Sequence, residues 1–572
     1  MYPQRKRLPD ARRSCVLLVF GLLLPVVFAL LETLPLQVNQ MLTSRAFAHE
    51  DGTSPAGTLA SLGEVNFPVS CTPPAQQEFN RAMALFHSFW FDPAKASFTK
   101  VLQLDPDCGM AHWGLAIMAM GNPFTWPTNP NAAAAGAPAA AAASRVGAKS
   151  ERERDYIAGL NRLFQDWETT AFRSRAIAFE QAMEALAAKY PDDEEAQILY
   201  ALALNITALP MDKSFANQLK AATILEPLVK KYPNHPGAVH YLIHTYDYAE
   251  LAEKGLAAAR AYANIAPAVP HALHMPSHIY ARVGHWQDMV ESNRASYLAA
   301  KDELKGDTLG IGAYDALHAM DYMVFGQLQQ AQDHAAGAVV AEAAAIRQVN
   351  VENFPAAYAL AAMPARYTLE RGDWAGAANL RLTPPNLAWH KFPHAEAILV
   401  FARGIGAARS GDLDSARTAL ARLQSLQEAM LAARMDYWPG QADFQIKAVA
   451  AWIALAEQRN DEALQLMQAA ADTEDASDKH PVTPGNVLPS RELLGEMLLL
   501  LDQPTAALAE FERSLRRDPN RFRGLYGAAR AAAAGNQHAS AREYYDKLLL
   551  LVAAHDTDRP EIAEAKAYLT QN

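Results

Sequence analysis

The chain reads as an all-α array of stacked helical hairpins, and three observations lead there. Alanine-rich amphipathic segments of modest length fill nearly everything from Gln76 onward, and β-branched runs are few. Alanine is the least costly residue in a helix and a poor one in a strand. Glycine-centred turns recur between these segments, at Gly284-His285-Trp286, Gly372-Asp373-Trp374, Gly411-Asp412-Leu413 and Gly535-Asn536-Gln537, each after an apolar helix and before an alanine-rich one. Equivalent positions return at a fixed interval, Ala507 and Ala541 standing 34 residues apart. A unit too small to bury its own apolar face must stack on copies of itself, so roughly nine or ten hairpins are expected, with looser spacing in the middle.

The totals agree. A chain of 572 residues, 51% hydrophobic, exceeds what one compact core holds, so an array or several domains is required. Its formal net charge is −11 and its pI near 5.9. That balance argues against a nucleic-acid partner, which would need a concentrated basic face.

The N-terminus carries an address. Arg5, Lys6, Arg7, Arg12 and Arg13 precede a nearly unbroken apolar run over residues 15–31, and Ala46-Phe47-Ala48 offers a cleavage site. Residues 1–48 are therefore expected to be a secretory signal or, uncleaved, an N-terminal membrane anchor. Either way the remainder is exported, with a periplasm as the expected compartment and membrane contact only through that segment. Of the three cysteines Cys15 lies in the signal, leaving Cys71 and Cys108 as a candidate disulfide, with two buried thiols as the alternative.

The rest divides as follows. Residues 49–74 read as an extended lead-in and 75–128 as the first hairpins. Residues 129–150 read as an Ala/Pro-rich low-complexity loop, or a loose helix between hairpins. Residues 151–480 form a central array with a histidine-rich region at 235–325, and 481–572 a C-terminal pair of regular repeats. The aromatic groups at 87–91 and 124–126, with Trp286, Trp374 and Trp389, read as packing between hairpins. The Pro- and Gly-rich stretch at 478–492, with His480, reads as a stiff connector into a helix.

The repeat grammar is clearest from Ser490 to Pro519, where Leu494-Gly495 is followed by Ala507, Phe511 and Asp518-Pro519. Ala82, Ala94, Phe98 and Asp105-Pro106 restate it near the start. This resembles the tetratricopeptide repeat, with its L-G, A-x3-F and closing proline. The resemblance implies a right-handed superhelical solenoid in which the first helix of each hairpin lines a concave groove that takes a peptide or protein partner. The segments CTPPAQQEFNRAMALFHSFWFDPAKASF and DPDCGMAHWGLA are also similar to a group of exported bacterial repeat proteins, a similarity that transfers no activity.

One constellation carries chemistry. His240 and His244 stand four apart, as do His274 and His278, and each pair shares a helix face. His240 to His274 and His244 to His278 are each 34 residues, one repeat. The pairs thus occupy equivalent places on the first helices of consecutive hairpins. His271 extends the stripe, and His318 with Asp321 continues it in the next hairpin. Neutral imidazoles on facing helices are the ingredients of a transition-metal site for Zn, Cu or Fe, with Asp321 or Asp247 as candidate carboxylates. Glu492 and Glu496 face the groove by the same alignment and would join if the superhelix curled back. No metalloenzyme signature or other catalytic set is legible. The leading reading is therefore an exported scaffold that presents its concave groove to a peptide or protein partner, with a metal-binding protein, or a metalloenzyme, as the alternative. Imidazole nitrogens converging within about 4–5 Å would favour metal, given nitrogen–metal bonds near 2 Å.

Overall fold

A computed structural model of the chain describes residues 61–124, 131–209, 211–302, 304 and 310–571. The N-terminal segment 1–48, residues 49–60 of the lead-in, Thr125 and Trp126 of the second aromatic group, and residues 129 and 130 lie outside the described residues.

The architecture is an all-α solenoid of tetratricopeptide-like hairpins. Each pairs an inner with an outer helix, as in Pro73–His87 with Phe91–Leu104, Pro236–Tyr246 with Ala252–Ile265, or Pro393–Arg409 with Leu413–Ala432. Twelve such hairpins and a closing helix, Pro560–Gln571, follow one another among the described residues. Two two-residue strands, Ile311–Gly312 and Gln348–Val349, pair in parallel beside them. No described helix is long and apolar enough to cross a membrane.

The repeat residues do what their sizes require. An added Cβ on Gly495 would come 2.7 Å from the Phe511 ring, and one on Gly527 2.2 Å from it. Phe511, from an outer helix, is therefore wedged between two inner helices that can close on it only because both present glycine. Phe98 and Gly114 repeat the arrangement, with 2.3 Å between the ring and the missing methyl.

The hairpin count exceeds the sequence expectation because low-complexity and shortened pairs are real elements. Residues read above as a loop or a loose helix form the helix Ala132–Val146, paired with Gly109–Met120. Its alanines Ala132, Ala133, Ala140 and Ala143 are buried, and Gly136 sits where a methyl would strike Phe164 at 2.5 Å. An uncharged alanine run looks like a linker in one dimension. In three it is the face that lets two helices approach closely. The helix Trp374–Ala378 is a similar case, a second helix cut to little more than a turn.

Cys71 and Cys108 are joined as a disulfide, with Cα atoms 5.3 Å apart. It ties the extended lead-in to the start of the second hairpin.

The solenoid also curls onto itself. Trp286 Nε1 donates to the Asn520 carbonyl at 2.7 Å, and Arg559 Nε pairs with Asp333 at 2.9 Å. Gly284, with φ +69°, lies where a Cβ would stand 2.4 Å from the Pro519 carbonyl oxygen, so left-handed backbone and close approach both demand glycine there. Into the resulting interior runs the stretch 478–489, most of it buried. Its polar backbone is satisfied by side chains: Arg366 donates to the carbonyls of Gly485 (2.6 Å) and Asn486 (3.0 Å), and Tyr437 to that of Asp478 (2.8 Å). Buried irregular backbone requires such partners.

Candidate metal centre

Six of the seven predicted site residues converge. The inner helices Pro236–Tyr246, Pro270–His274, Pro276–Val283 and Tyr314–Gln329 present their histidines to the interior in the register the 34-residue spacing implies. Two groups of three form, His240 with His244 and His271, and His274 with His278 and His318, the donor atoms of each group lying within 4.8 Å of one another. His240, His244, His274 and His278 are buried, whereas His271 and His318 are half-buried at the edge. Within the triads His271 Nε2 is 3.2 Å from His240 Nε2, and His274 Nε2 is 3.0 Å from His278 Nε2.

Surrounding hydrogen bonds decide which nitrogens are free. His240 Nδ1 donates to the backbone carbonyl of His87 at 2.6 Å. His278 Nδ1 donates to Asp247 Oδ2 at 2.9 Å. His274 Nδ1 lies 2.7 Å from Asn293 Oδ1, and the amide of Asn293 donates to the Met289 carbonyl at 2.8 Å, which turns its oxygen towards the imidazole. In all three rings Nδ1 carries the proton and Nε2 carries the lone pair. His244 Nε2 is buried without a hydrogen-bond partner among the described residues. Burial, and then the crowding of the rings on one another, hold His240, His244, His271, His274 and His318 well below the ordinary histidine range. Burial lowers His278 as well, against the pull of Asp247. The imidazoles are thus neutral, the form that binds metal.

The carboxylates behave differently from the sequence expectation. Asp321 does not join the histidines. Arg366, from the next inner helix, takes it at 2.9 Å, and Asp321 Oδ2 is left buried and unpartnered among the described residues. Burial raises its pKa against that pairing. Position three after His318 shares its face, but the nearest cation captures the side chain. Asp247 stands behind a ligand rather than beside it. Its Oδ2 meets His278 Nδ1 and Lys479 Nζ (2.8 Å), and its Oδ1 meets Arg282 (2.9 Å). Burial alone would raise this carboxyl, but Lys479, Arg282 and His278 hold it well below the usual carboxylate range. Such partners behind metal-binding histidines orient the ring and raise its basicity. Glu492 and Glu496 do not curl back to the histidines. Glu492 pairs with Arg521 at 2.7 Å, and Glu496 with Arg409 and Arg523.

Sequence reasoning missed several participants. His87, read as part of an aromatic cluster, supplies the carbonyl behind His240. Its own ring sits in a third buried group, in which Glu195 accepts from His87 Nε2 (2.9 Å) and His235 Nε2 (3.0 Å). Tyr241 and the Ala238 amide occupy the remaining ring nitrogens at 3.0 and 3.2 Å, so that group is fully paired and structural. Asn293 lies on an outer helix, where no register rule would have placed it. Lys479, in the supposed connector, reaches the site only through the curl of the chain. Phe89 and Phe124 complete an apolar wall, their rings stacked on His271 (5.5 Å) and His244 (4.0 Å) respectively.

No family model and no curated protein matches the chain. Solved structures similar to it include a tetratricopeptide repeat protein from Parabacteroides merdae, at 11% identity and TM-score 0.28 over 53% of this chain and 99% of that one. Human IFIT1, solved as a dimer with PPP-AAAA, aligns at 11% identity and TM-score 0.34 over 77% of this chain and 90% of its own. Yeast Tom70 aligns at 13% identity and TM-score 0.27 over 87% and 96%.

Proposed function

We propose that this protein is an exported metal-binding protein in which a helical repeat scaffold builds two adjacent trihistidine sites for a transition ion of the Zn, Cu or Fe kind. The observation that carries the reading is the pair His274 and His278. Their Nδ1 protons are committed to Asn293 and Asp247, so two lone pairs face each other across 3.0 Å. Two acceptors do not approach so closely without a proton or a cation between them. Two imidazole nitrogens on one tetrahedral ion at 2.0–2.1 Å bonds would stand about 3.3 Å apart, close to the 3.0 and 3.2 Å found in the two triads. Half-buried His271 and His318 leave each triad an accessible side, as a site with an open coordination position needs. Export follows from the N-terminal segment, and the Cys71–Cys108 disulfide is in keeping with an oxidising compartment.

The repeat stack equally suits a scaffold for a protein or peptide partner. Around the histidines, however, the extended segment in the interior is the chain's own residues 478–489. A partner would dock elsewhere on the solenoid.

Elemental analysis of the protein, purified without a histidine tag, tests the metal reading against a His240→Ala/His274→Ala variant. Near-stoichiometric transition metal, lost in the variant while helical circular dichroism persists, is expected. Absence of metal after incubation with zinc, copper, iron and nickel would sink it.

A further inference from the structure

Resting on the trihistidine reading, we infer that the two triads form one dinuclear copper centre whose ligand is dioxygen. The first ground is adjacency. Ring centroids within the triads are 4.9 Å apart for His240 and His244, 5.0 Å for His240 and His271, and 4.9 Å for His274 and His278. Between the triads they are hardly farther, 5.8 Å for His244 and His278 and 6.1 Å for His271 and His274. Ions held by rings this close are neighbours that can share one small bridging ligand, as paired ions about 3.5–4 Å apart do.

The second ground is charge. All six donors are neutral imidazoles, and the nearby carboxylates Asp247 and Asp321 are each paired with a cation, Asp247 with Arg282 and Lys479 and Asp321 with Arg366. Asp247, behind His278, and its neighbour Asp478 are spent on Arg282, Lys479 and Lys213. Nothing is left over to compensate a metal pair in this buried chamber. The cost of placing an ion in a poorly polarisable interior grows with the square of its charge, so two monovalent ions are far cheaper there than two divalent ones. Among metals that take imidazole, copper supplies the monovalent state.

The third ground is the wall. Phe89 and Phe124 stack on His271 and His244 and give the centre an apolar wall, which suits a small apolar molecule. Two Cu(I) ions each give one electron to O2. The O=O double bond becomes a single bond, and the products are two Cu(II) ions bridged by a peroxide dianion. The chamber's total charge is +2 before and after, and no proton moves.

The experiment loads the protein with Cu(I) without air and then admits a measured quantity of oxygen. Two coppers per chain, one O2 consumed per two coppers, and no Cu(II) paramagnetic resonance signal, because the two spins couple through the shared bridge, are expected. His244→Ala and His278→Ala, one from each triad, should each retain one copper, show an isolated Cu(II) signal in air and keep native helicity. Isolated Cu(II) signals in the wild type, or coupled oxygen uptake surviving in either variant, would overturn the paired centre. Retention of two zinc ions with no uptake of Cu(I) would overturn copper and dioxygen while leaving the trihistidine sites standing. No metal of any kind would remove both readings.

Discussion

Glu492 shows how far a single residue's surroundings can move its chemistry. It shares the guanidinium of Arg521 with Glu370, so two buried carboxylates face one cation, and Glu370 Oε2 has no partner among the described residues. Burial first, and the neighbouring Glu370, push Glu492 up to about 7 against the pull of Arg521. The folded state therefore holds a proton that the unfolded chain releases near its ordinary value of 4.5. A group of this kind contributes stability that is complete below the unfolded value and is lost as pH rises through the folded one. Glu492→Gln, which mimics the protonated form, should match the wild type at about pH 4.5. It should exceed it by about 2–3 kcal/mol at about pH 8, because a tenfold change in proton affinity between the folded and unfolded chain is worth ~1.4 kcal/mol. Denaturant melts at the two pH values check this, and an equal difference at both would refute it. The buried histidines act oppositely: their lowered values mean stability is lost as pH falls below about 6.5. The comparison of variant with wild type cancels that common background.

At the scale of elements the segment 478–489 matters most. It has no regular structure, yet it fills the interior and links Asp247, Arg282, Tyr437 and Arg366. Arg366 is its chief clamp. Arg366→Met removes two hydrogen bonds to the segment's carbonyls and leaves Asp321 buried without its cation. Breaking a buried ion pair on one side costs about 3–5 kcal/mol, most of it the stranded charge. Adding Asp321→Asn should therefore recover a large part of the loss. The single variant should also gain a protease-sensitive site within 478–489 that the wild type lacks. If Arg366→Met alone costs under ~1 kcal/mol and the segment stays protected, the clamp is not what holds it.

The whole molecule departs from an open repeat array. In such arrays each unit touches only its neighbours, and stability is a sum of local terms. Here Trp286 meets Asn520, and Asp333 meets Arg559, across more than two hundred residues of chain. The first described hairpins are likewise bound in. Their disulfide spans a sequence separation of 37, and the entropy removed from the unfolded chain by closing a loop of that length is worth about 4 kcal/mol. Cys71→Ser/Cys108→Ser should lower the melting temperature and raise amide exchange in the first hairpins. Because Glu195 and His235 grip His87, the loosening should extend to the helix Pro236–Tyr246, which carries His240 and His244. Exchange confined to residues before Phe91 would show that the closed form does not transmit it.

The sequence by itself determined whatever is local or periodic. Helix periodicity and glycine turns specify hairpins, and the wedge of Phe511 against Gly495 and Gly527 is legible as an A-x3-F pattern beside small residues. The 34-residue interval was enough to put His240, His244, His274 and His278 on one wall, because a residue's register within a repeat decides the face it occupies. Register could not say which neighbour a side chain would find. Asp321 lies on the histidine face yet belongs to Arg366. Asp247 caps the end of its helix, outside the periodic pattern, and reaches His278 from behind. Lys479 sits in a stretch that reads as a connector. Those outcomes depend on the curvature of the superhelix, the accumulated sum of small rotations from one hairpin to the next, which no single repeat encodes. Tertiary structure alone decided that the array would close, that residues 478–489 would fill its interior, and that two histidine triads would meet.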